Sequence, residues 1–201
     1  MLTTNRHDWW EKAWSYKDHG KSWEAVYERQ HPPGFRWLHD SFGTNWRMTE
    51  MQAAIGRIQL GKLPQWLSVR RKNAAVLTNY FRTVRGLRVT VPPSDIDHAY
   101  YKYYVFIEPD QLKEGWGRDQ IMNAIYAEGI PCYSGSCSEI YLENAFERSG
   151  LQPPKRLEVA RQLGDTSLMF LVHPTLDESH MELAAKTVEK VMRIAAKQVS
   201  Q

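Results

Sequence analysis

Hydrophobic residues in the middle of the chain recur at the spacing of an α-helix. They are Met51, Ala54, Ile55, Ile58, Leu67, Ala74, Leu77, Phe81 and Val84. A period near 3.6 puts such residues on one face of a helix, which predicts an amphipathic element. Pro64 interrupts the run, and a proline inside a helix removes a hydrogen bond and clashes with the preceding turn. The pattern therefore predicts one long helix that kinks or restarts at Pro64.

Shorter elements of both kinds flank this helix. Further helices are predicted over residues 7–18, 121–125 and 181–195. Gly129 is expected to end the second of them, because glycine readily adopts the positive φ of a helix C-cap. Aromatic and β-branched residues predict strands over 100–107, 130–134 and 167–172, and Pro32-Pro33-Gly34 predicts a loop. The chain is therefore predicted to have a mixed α/β fold.

A turn and a helix start come together in residues 43–60, GTNWRMTEMQAAIGRIQL. Gly43 is expected to supply the positive φ of a sharp turn. Thr49 and Gln52 have the spacing of a capping box, which predicts the N-terminus of the long helix. Asn45 and Arg47 then lie in the approach to that terminus, where free N–H groups and the helix dipole favour a phosphate or carboxylate. The alternative is a capped helix preceded by two solvated polar residues.

Composition predicts an ordinary globular chain. The 201 residues are 42% hydrophobic and include 8 Trp and 10 Tyr, enough for a core. The N-terminus lacks the apolar region of a signal peptide, and no apolar run approaches the roughly 18 residues of a membrane span, so we expect a cytoplasmic location without membrane contact. Cys132 and Cys137 are too few for a disulfide framework or a zinc site and are predicted to be free thiols.

Charge is distributed unevenly along the chain. Residues 51–94 contain eight Lys/Arg and no Asp or Glu, whereas residues 108–147 contain eight acidic residues against Lys113 and Arg118. A basic helix can bind nucleic acid or a diphosphate. No nucleic-acid-binding motif accompanies it, so we expect no nucleic-acid partner. The favoured interpretation is that the basic face is solvated or meets the acidic segment of the same or a partner chain.

Five segments, taken in order, resemble a known family. They are residues 1–20 with Asp18-His19-Gly20, the run Gly43-x-Asn45-x-Arg47-Met48 continued by Ala53-Ala54, HAYYKYYVFI at 98–107, GIP at 129–131 and LMFLVHPTL at 168–176. On these residues the chain resembles the DegT/DnrJ/EryC1/StrS family of pyridoxal-phosphate (PLP) sugar aminotransferases. The resemblance extends over nearly the whole chain.

The resemblance implies the C-terminal part of a fold-type I aminotransferase. Residues 1–42 would be the tail of the large PLP domain with a connecting loop, 43–85 a long kinked helix between domains and at the dimer interface, and 86–201 a small α/β domain. That domain would have three strands with helices on one face. The family's PLP-binding lysine precedes the segment that matches residue 1. No catalytic residue is therefore expected in this chain, and the chain alone is expected to be inactive and not to bind PLP.

Site residues follow from the resemblance only where positions match. Asn45 would bind the PLP phosphate of a neighbouring subunit, and Arg47 would bind a substrate carboxylate or phosphate, with a salt bridge as the alternative. Residues 132–141, CYSGSCSEIY, depart from the commoner family pattern on the substrate side. Ser134, Ser136 and Glu139 are polar enough to bind sugar hydroxyls there. No metal site is expected.

The implied activity is transfer of an amino group, from glutamate, to a keto group of a nucleotide-linked sugar in polysaccharide or aminosugar biosynthesis. The implied assembly is a homodimer. Two alternatives stay open. Some members of the family are PLP-dependent sugar dehydratases, with histidine in place of the lysine. The chain can also be a truncated, non-catalytic module that keeps only folding and dimer contacts.

Overall fold

The computed structural model describes residues 2–32, 37–147 and 149–198. Within them the helices are α1 (His7–Lys17), α2 (Trp23–Tyr27), α3 (Glu50–Phe81), α4 (Arg118–Ala127), α5 (Asn144–Glu147), α6 (Glu158–Thr166) and α7 (Glu178–Ala195). The strands are β1 (Leu87–Val89), β2 (Tyr103–Ile107), β3 (Cys132–Tyr133) and β4 (Ser167–Phe170). Pro33 and Gly34 of the predicted loop lie outside the described residues. The mixed α/β prediction is confirmed.

The chain divides into two compact units, Met1–Gly61 and Lys62–Gln201, and the division falls inside α3. This helix starts at the predicted capping box. The Thr49 amide donates to Gln52 Oε1 at 3.0 Å, and the Gln52 amide donates to Thr49 Oγ1 at 3.3 Å. Two of the backbone donors that a helix start leaves free are thereby satisfied. Pro64 lies within α3, which continues across it as one helix.

The two ends of α3 differ in burial. In the second unit Ala74, Leu77 and Phe81 are fully buried, as the apolar periodicity predicts. In the first unit Met51 and Ile58 are exposed by 77% and 61%. In the part of the chain that the structure describes, these apolar residues near the start of α3 are therefore exposed.

The second unit is built on a four-stranded antiparallel sheet in the order β1-β2-β4-β3. Alternation along β2 buries Tyr103, Val105 and Ile107 on one face. Opposite them on β4 lie Leu168 and Phe170, and α3, α4 and α7 supply most of the other residues of this core. Every residue of β4 is buried, which fits its central place in the sheet.

Three of the strands were predicted, and the fourth was not. β1 is only three residues long, too short for a period of two to be recognised. The short helices α2, α5 and α6 were also missed. Predicted positions of α1, α4 and α7 are confirmed, and Gly129, at φ 86°, follows α4 as expected. The predicted three-part division at residues 42 and 85 stays a prediction.

The basic stretch is partly neutralised within its own unit. Arg71 pairs with Asp97 at 2.6 Å, and Lys72 pairs with Glu178 at 3.1 Å. Neither carboxylate belongs to the acidic segment 108–147 that the charge pattern singled out. Arg71 and Lys72 therefore pair within their own unit, but with carboxylates outside the acidic segment that was predicted to face them.

Candidate functional site

The segment that carries Asn45 and Arg47 is fixed to the end of α1 by backbone hydrogen bonds. The Thr44 amide donates to the Tyr16 carbonyl at 2.7 Å, the His19 amide to the Thr44 carbonyl at 2.9 Å, and the Trp46 amide to the Lys17 carbonyl at 2.9 Å. Asp18 and Asn45 form an isolated antiparallel bridge. The position of Asn45 is thus set by the main chain and does not depend on its own side chain.

Two glycines permit this close crossing of chain segments. Gly20 has a φ of 83°, and a Cβ there would overlap the carbonyl oxygen of Ser41. A Cβ on Gly43 would collide with the Gly20 nitrogen and lie 2.8 Å from the Tyr16 oxygen. The φ of Gly43 is not positive, so the predicted left-handed turn is wrong. Gly43 is needed for close backbone approach, the second role for which glycine is suited.

The side chain of Asn45 is exposed and has a free amide. Among the described residues no hydrogen bond reaches its side-chain nitrogen or oxygen. The residue lies five positions before Glu50, the first residue of α3, and the capping box serves the helix start without it. The amide is therefore left available for a ligand that the chain itself does not supply.

Arg47 lies in a small charged cluster of the first unit. Its Nε is 3.5 Å from Asp18 Oδ1, and Lys21 Nζ is also 3.5 Å from that oxygen. The side chains of Asp18 and Lys21 are only 9% and 11% exposed, whereas that of Arg47 is 53% exposed. Two cations around one carboxylate leave net positive charge, and most of the Arg47 guanidinium donors remain accessible.

The other predicted contacts, Ser134, Ser136 and Glu139, belong to the second unit. Here the chain leaves β3 and enters residues 134–142, which we call the loop 134–142 and which end in a short 3-10 helix, Ile140–Leu142. The Ser134 carbonyl accepts from Ser167 Oγ at 2.7 Å, and the Ser136 amide donates to the Tyr104 hydroxyl at 3.2 Å. In the part of the chain that the structure describes, the hydroxyls of Ser134 and Ser136 form no hydrogen bond. The backbone is held while both hydroxyls stay free.

Glu139 has a different environment from the two serines. Arg156 donates from Nε to Oε1 and from Nη2 to Oε2, both at 2.7 Å, and the Tyr141 hydroxyl donates to Oε1 at 2.6 Å. Arg156, followed by Tyr141, holds the pKa of Glu139 at about 2, below its usual range. The carboxylate therefore already accepts three charge-assisted hydrogen bonds within its own unit.

Sequence reasoning did not find Arg156. It lies 17 positions beyond Glu139 and outside every segment that carried the resemblance. A search along the sequence for a cation to match the acid in CYSGSCSEIY would have met Arg148, Lys155 and Arg156 in turn.

Other candidate chemistry is limited. Cys132 is buried, which raises the pKa of its thiol to about 12, and Cys137 is exposed; both are free thiols, as predicted. Across residues 2–32, 37–147 and 149–198, no group of three or more His, Cys, Asp and Glu is placed to hold a metal ion. None of the helices in these residues is long and apolar enough to cross a membrane.

The fold is a mixed α/β fold with a small antiparallel sheet, and comparison with known proteins gives the family. The profile of the DegT/DnrJ/EryC1/StrS aminotransferase family matches residues 1–189. The chain belongs to this family.

Individual relatives agree with this assignment. The chain is similar to the crystal structure of an aminotransferase from Psychrobacter cryohalolentis, with a TM-score of 0.85 and 50% identity, over 96% of this chain and 51% of that one. It is 28% identical to the dTDP-3-amino-3,4,6-trideoxy-alpha-D-glucose transaminase of Streptomyces venezuelae, over 60% of this chain and 29% of the relative.

A third relative has a different activity in its name. The GDP-4-keto-6-deoxy-D-mannose 3-dehydratase of Escherichia coli O55:H7 is 34% identical over 45% of this chain and 22% of its own length. The chain thus spans about half, or less, of the length of these three relatives.

Proposed function

We propose that this chain is the C-terminal part of a PLP-dependent aminotransferase, which transfers an amino group from glutamate to a keto group of a nucleotide-linked sugar. Support comes from the family match over residues 1–189 and from relatives that are named as an aminotransferase and as a sugar transaminase. About half of the Psychrobacter aminotransferase, and more of the Streptomyces transaminase, lies outside the part that this chain matches. The proposal therefore concerns the chain joined to that half, which we call the extended protein.

One observation carries the proposal: Asn45 presents an unused amide from a rigid backbone bridge beside the start of α3. A neutral amide donor suits a phosphate dianion, and the positive cluster of Arg47 and Lys21 lies in the same unit. The residues present thus fit one side of a PLP phosphate site. PLP, once bound, holds the amino group between donor and acceptor and stabilises negative charge on the substrate. We propose that Asn45 binds the phosphate held by a neighbouring subunit.

Substrate binding is proposed for Arg47 and the two serines. The exposed guanidinium of Arg47 can bind a substrate carboxylate or phosphate in a bidentate manner, although Asp18 is its partner in this chain. The unoccupied hydroxyls of Ser134 and Ser136 can each donate to and accept from sugar hydroxyls. Glu139 was also expected to bind sugar hydroxyls, but the three hydrogen bonds that its carboxylate accepts within its own unit favour a role in holding the loop 134–142.

Dimerisation follows from the same proposal. The exposed apolar face of Met51, Ile55 and Ile58 on α3 lies close in sequence to Asn45. Such a face is costly to leave in water, and a second subunit would cover it. We propose a homodimer of the extended protein in the cytoplasm, with residues 1–42, 43–85 and 86–201 as large-domain tail, connecting helix and small domain.

The second candidate is a PLP-dependent sugar dehydratase with the same fold. The 34% identity to a 3-dehydratase over 45% of the chain favours keeping it. The distinction rests on a lysine or histidine in the half of the family fold that this chain does not match. A non-catalytic module is the third candidate, and for the chain in isolation we propose that it has no activity and does not hold PLP.

Activity of the extended protein separates these candidates. The extended protein is supplied with PLP, glutamate and a nucleotide-linked keto sugar. The amounts of 2-oxoglutarate and of the sugar product are then measured. If the protein is an aminotransferase, we expect it to form equal amounts of 2-oxoglutarate and amino sugar. Loss of a sugar hydroxyl without an aminated product would instead favour the dehydratase. Absence of both products with several keto sugars would overturn the proposed enzyme.

A further inference from the structure

Hydrogen bonds anchor the loop 134–142 to other elements near both of its ends. Near its start, Ser167 Oγ and the Tyr104 hydroxyl bind the backbone of Ser134 and Ser136. Near its end, Glu139 and Tyr141 contact the segment 152–157, which precedes α6. Both ends of the loop are therefore anchored to other elements of the same unit.

Glu139 and Arg156 form the strongest of these contacts. Two parallel N–H···O bonds of 2.7 Å give the fork geometry that only arginine provides to a carboxylate. The Glu139 side chain is 12% exposed and that of Arg156 is 50% exposed. The carboxylate thus faces the protein, where a charge is stable only with its partner.

Tyr141 extends the pair into a network. Its hydroxyl donates to Glu139 Oε1 at 2.6 Å and accepts from the Leu157 amide at 2.9 Å. The Gln152 side chain donates to the Tyr141 carbonyl at 2.9 Å. The Leu157 amide belongs to the residue before α6, so the network joins the loop to the start of that helix. We name Glu139, Tyr141 and Arg156 the loop clamp.

We propose that the loop clamp is a positioning device: Glu139 does not bind the sugar but fixes loop 134–142, so that the free hydroxyls of Ser134 and Ser136 face the substrate in one conformation. The sugar contact rests on the proposed function, whereas the fixing of the loop does not. A loop ordered before binding loses less conformational entropy on binding, so the clamp raises affinity without touching the ligand.

Two measurements test the two parts separately. Amide hydrogen exchange of residues 134–142 is followed in this chain for Glu139→Gln, Arg156→Gln and the double variant. We expect at least about tenfold faster exchange in each single variant, since each removes the shared contact, and little further change in the double variant.

Arg156→Lys keeps the charge but not the fork, and its exchange rate should lie between those of wild type and Arg156→Gln. Arg193→Gln, which breaks the exposed Arg193–Glu189 pair of α7, is the matched control and should leave the loop unchanged.

The extended protein supplies the second measurement. For Arg156→Gln we expect KM for the nucleotide-linked sugar to rise about tenfold, while KM for glutamate stays within about twofold and Arg193→Gln behaves as wild type. Unchanged exchange in loop 134–142 would overturn the clamp. Faster exchange with an unchanged sugar KM would overturn its positioning role. If the wild-type extended protein transfers no amino group, the proposed function fails, and the exchange data still decide whether the clamp exists.

Discussion

The buried side chain of Asn73 in α3 donates to the backbone carbonyl of Leu176 at 2.9 Å, and to that of His173 at 3.4 Å. Asn73 is 1% exposed. Its amide is therefore a buried polar link between the long helix and the turn that leads into α7.

Replacing this amide should destabilise the second unit. Asn73→Leu keeps the branched shape of the side chain but leaves the Leu176 carbonyl without the Asn73 donor, so we expect a loss of about 1 to 3 kcal/mol in the free energy of unfolding. Urea denaturation measures it. Asn123→Leu, at an exposed position of α4, is the control and should change the free energy by less than about 0.5 kcal/mol. Equal effects of the two substitutions would contradict the link.

The N-cap of α7 should make stability depend on acid. Asp177 accepts from Ser179 Oγ at 2.7 Å and from the His180 amide at 3.2 Å, and hydrogen bonds from Ser179 and His180 hold the pKa of Asp177 well below its usual range. A carboxylate with a lowered folded-state pKa stabilises the fold fully above its ordinary pKa, and this stability is lost progressively as pH falls from the ordinary pKa through the lowered folded-state pKa. Asp177→Ala should lower Tm by a few degrees at pH 7 and by less at pH 3. A Tm difference that is the same at both pH values would contradict the cap.

Gly20 and Gly56 should respond to alanine in opposite directions. Gly20→Ala forces a Cβ into the Ser41 carbonyl at positive φ, and we expect a loss of roughly 1 to 3 kcal/mol in the first unit. Gly56 lies in α3 with no atom near its missing Cβ, so Gly56→Ala should stabilise the helix by roughly 0.5 to 1 kcal/mol. Thermal unfolding followed by circular dichroism distinguishes them. A Tm of Gly20→Ala equal to or above that of wild type would show that the Gly20 crossing is not needed.

The two thiols should differ in reactivity. Thiolate is the reactive form, and the buried Cys132, with a pKa of about 12, contains almost none at pH 7.5, whereas Cys137 is exposed. Brief treatment of the folded chain with iodoacetamide should label Cys137 alone, and treatment in urea should label both. Peptide mass spectrometry reads the result. Early labelling of Cys132 in the folded chain would contradict its burial in β3.

Much of the fold was predictable because the signals are local. The spacing of Ala74, Leu77 and Phe81 fixes the buried face of α3, and the Thr49–Gln52 box fixes its start. Gly43 shows the limit. A glycine in a turn usually indicates positive φ, but here the demand comes from Gly20 and Tyr16, more than 20 residues away in the chain. No local pattern contains that information.

The candidate site shows the same contrast between local and long-range signals. Asn45 was recognisable because its motif is contiguous, and the structure adds that its amide is unused. Glu139 was recognised as polar and placed with the substrate, but its partner Arg156 lies 17 residues further on. The pairing of Glu139 with Arg156 depends on the folded chain, and no local pattern around Glu139 contains it.

Asn45 is proposed to bind a cofactor phosphate and to contribute little to the stability of its own fold. The measurement is the PLP dissociation constant of the extended protein, by absorbance titration, for wild type and Asn45→Ala. Loss of one charge-assisted hydrogen bond should weaken PLP binding by roughly 1.5 to 3 kcal/mol, about ten- to 150-fold. Tm without PLP should stay within about one degree, because the Asp18–Asn45 bridge uses only the main chain. An unchanged PLP affinity together with a Tm lower by several degrees would contradict the account and make Asn45 a structural residue of the turn.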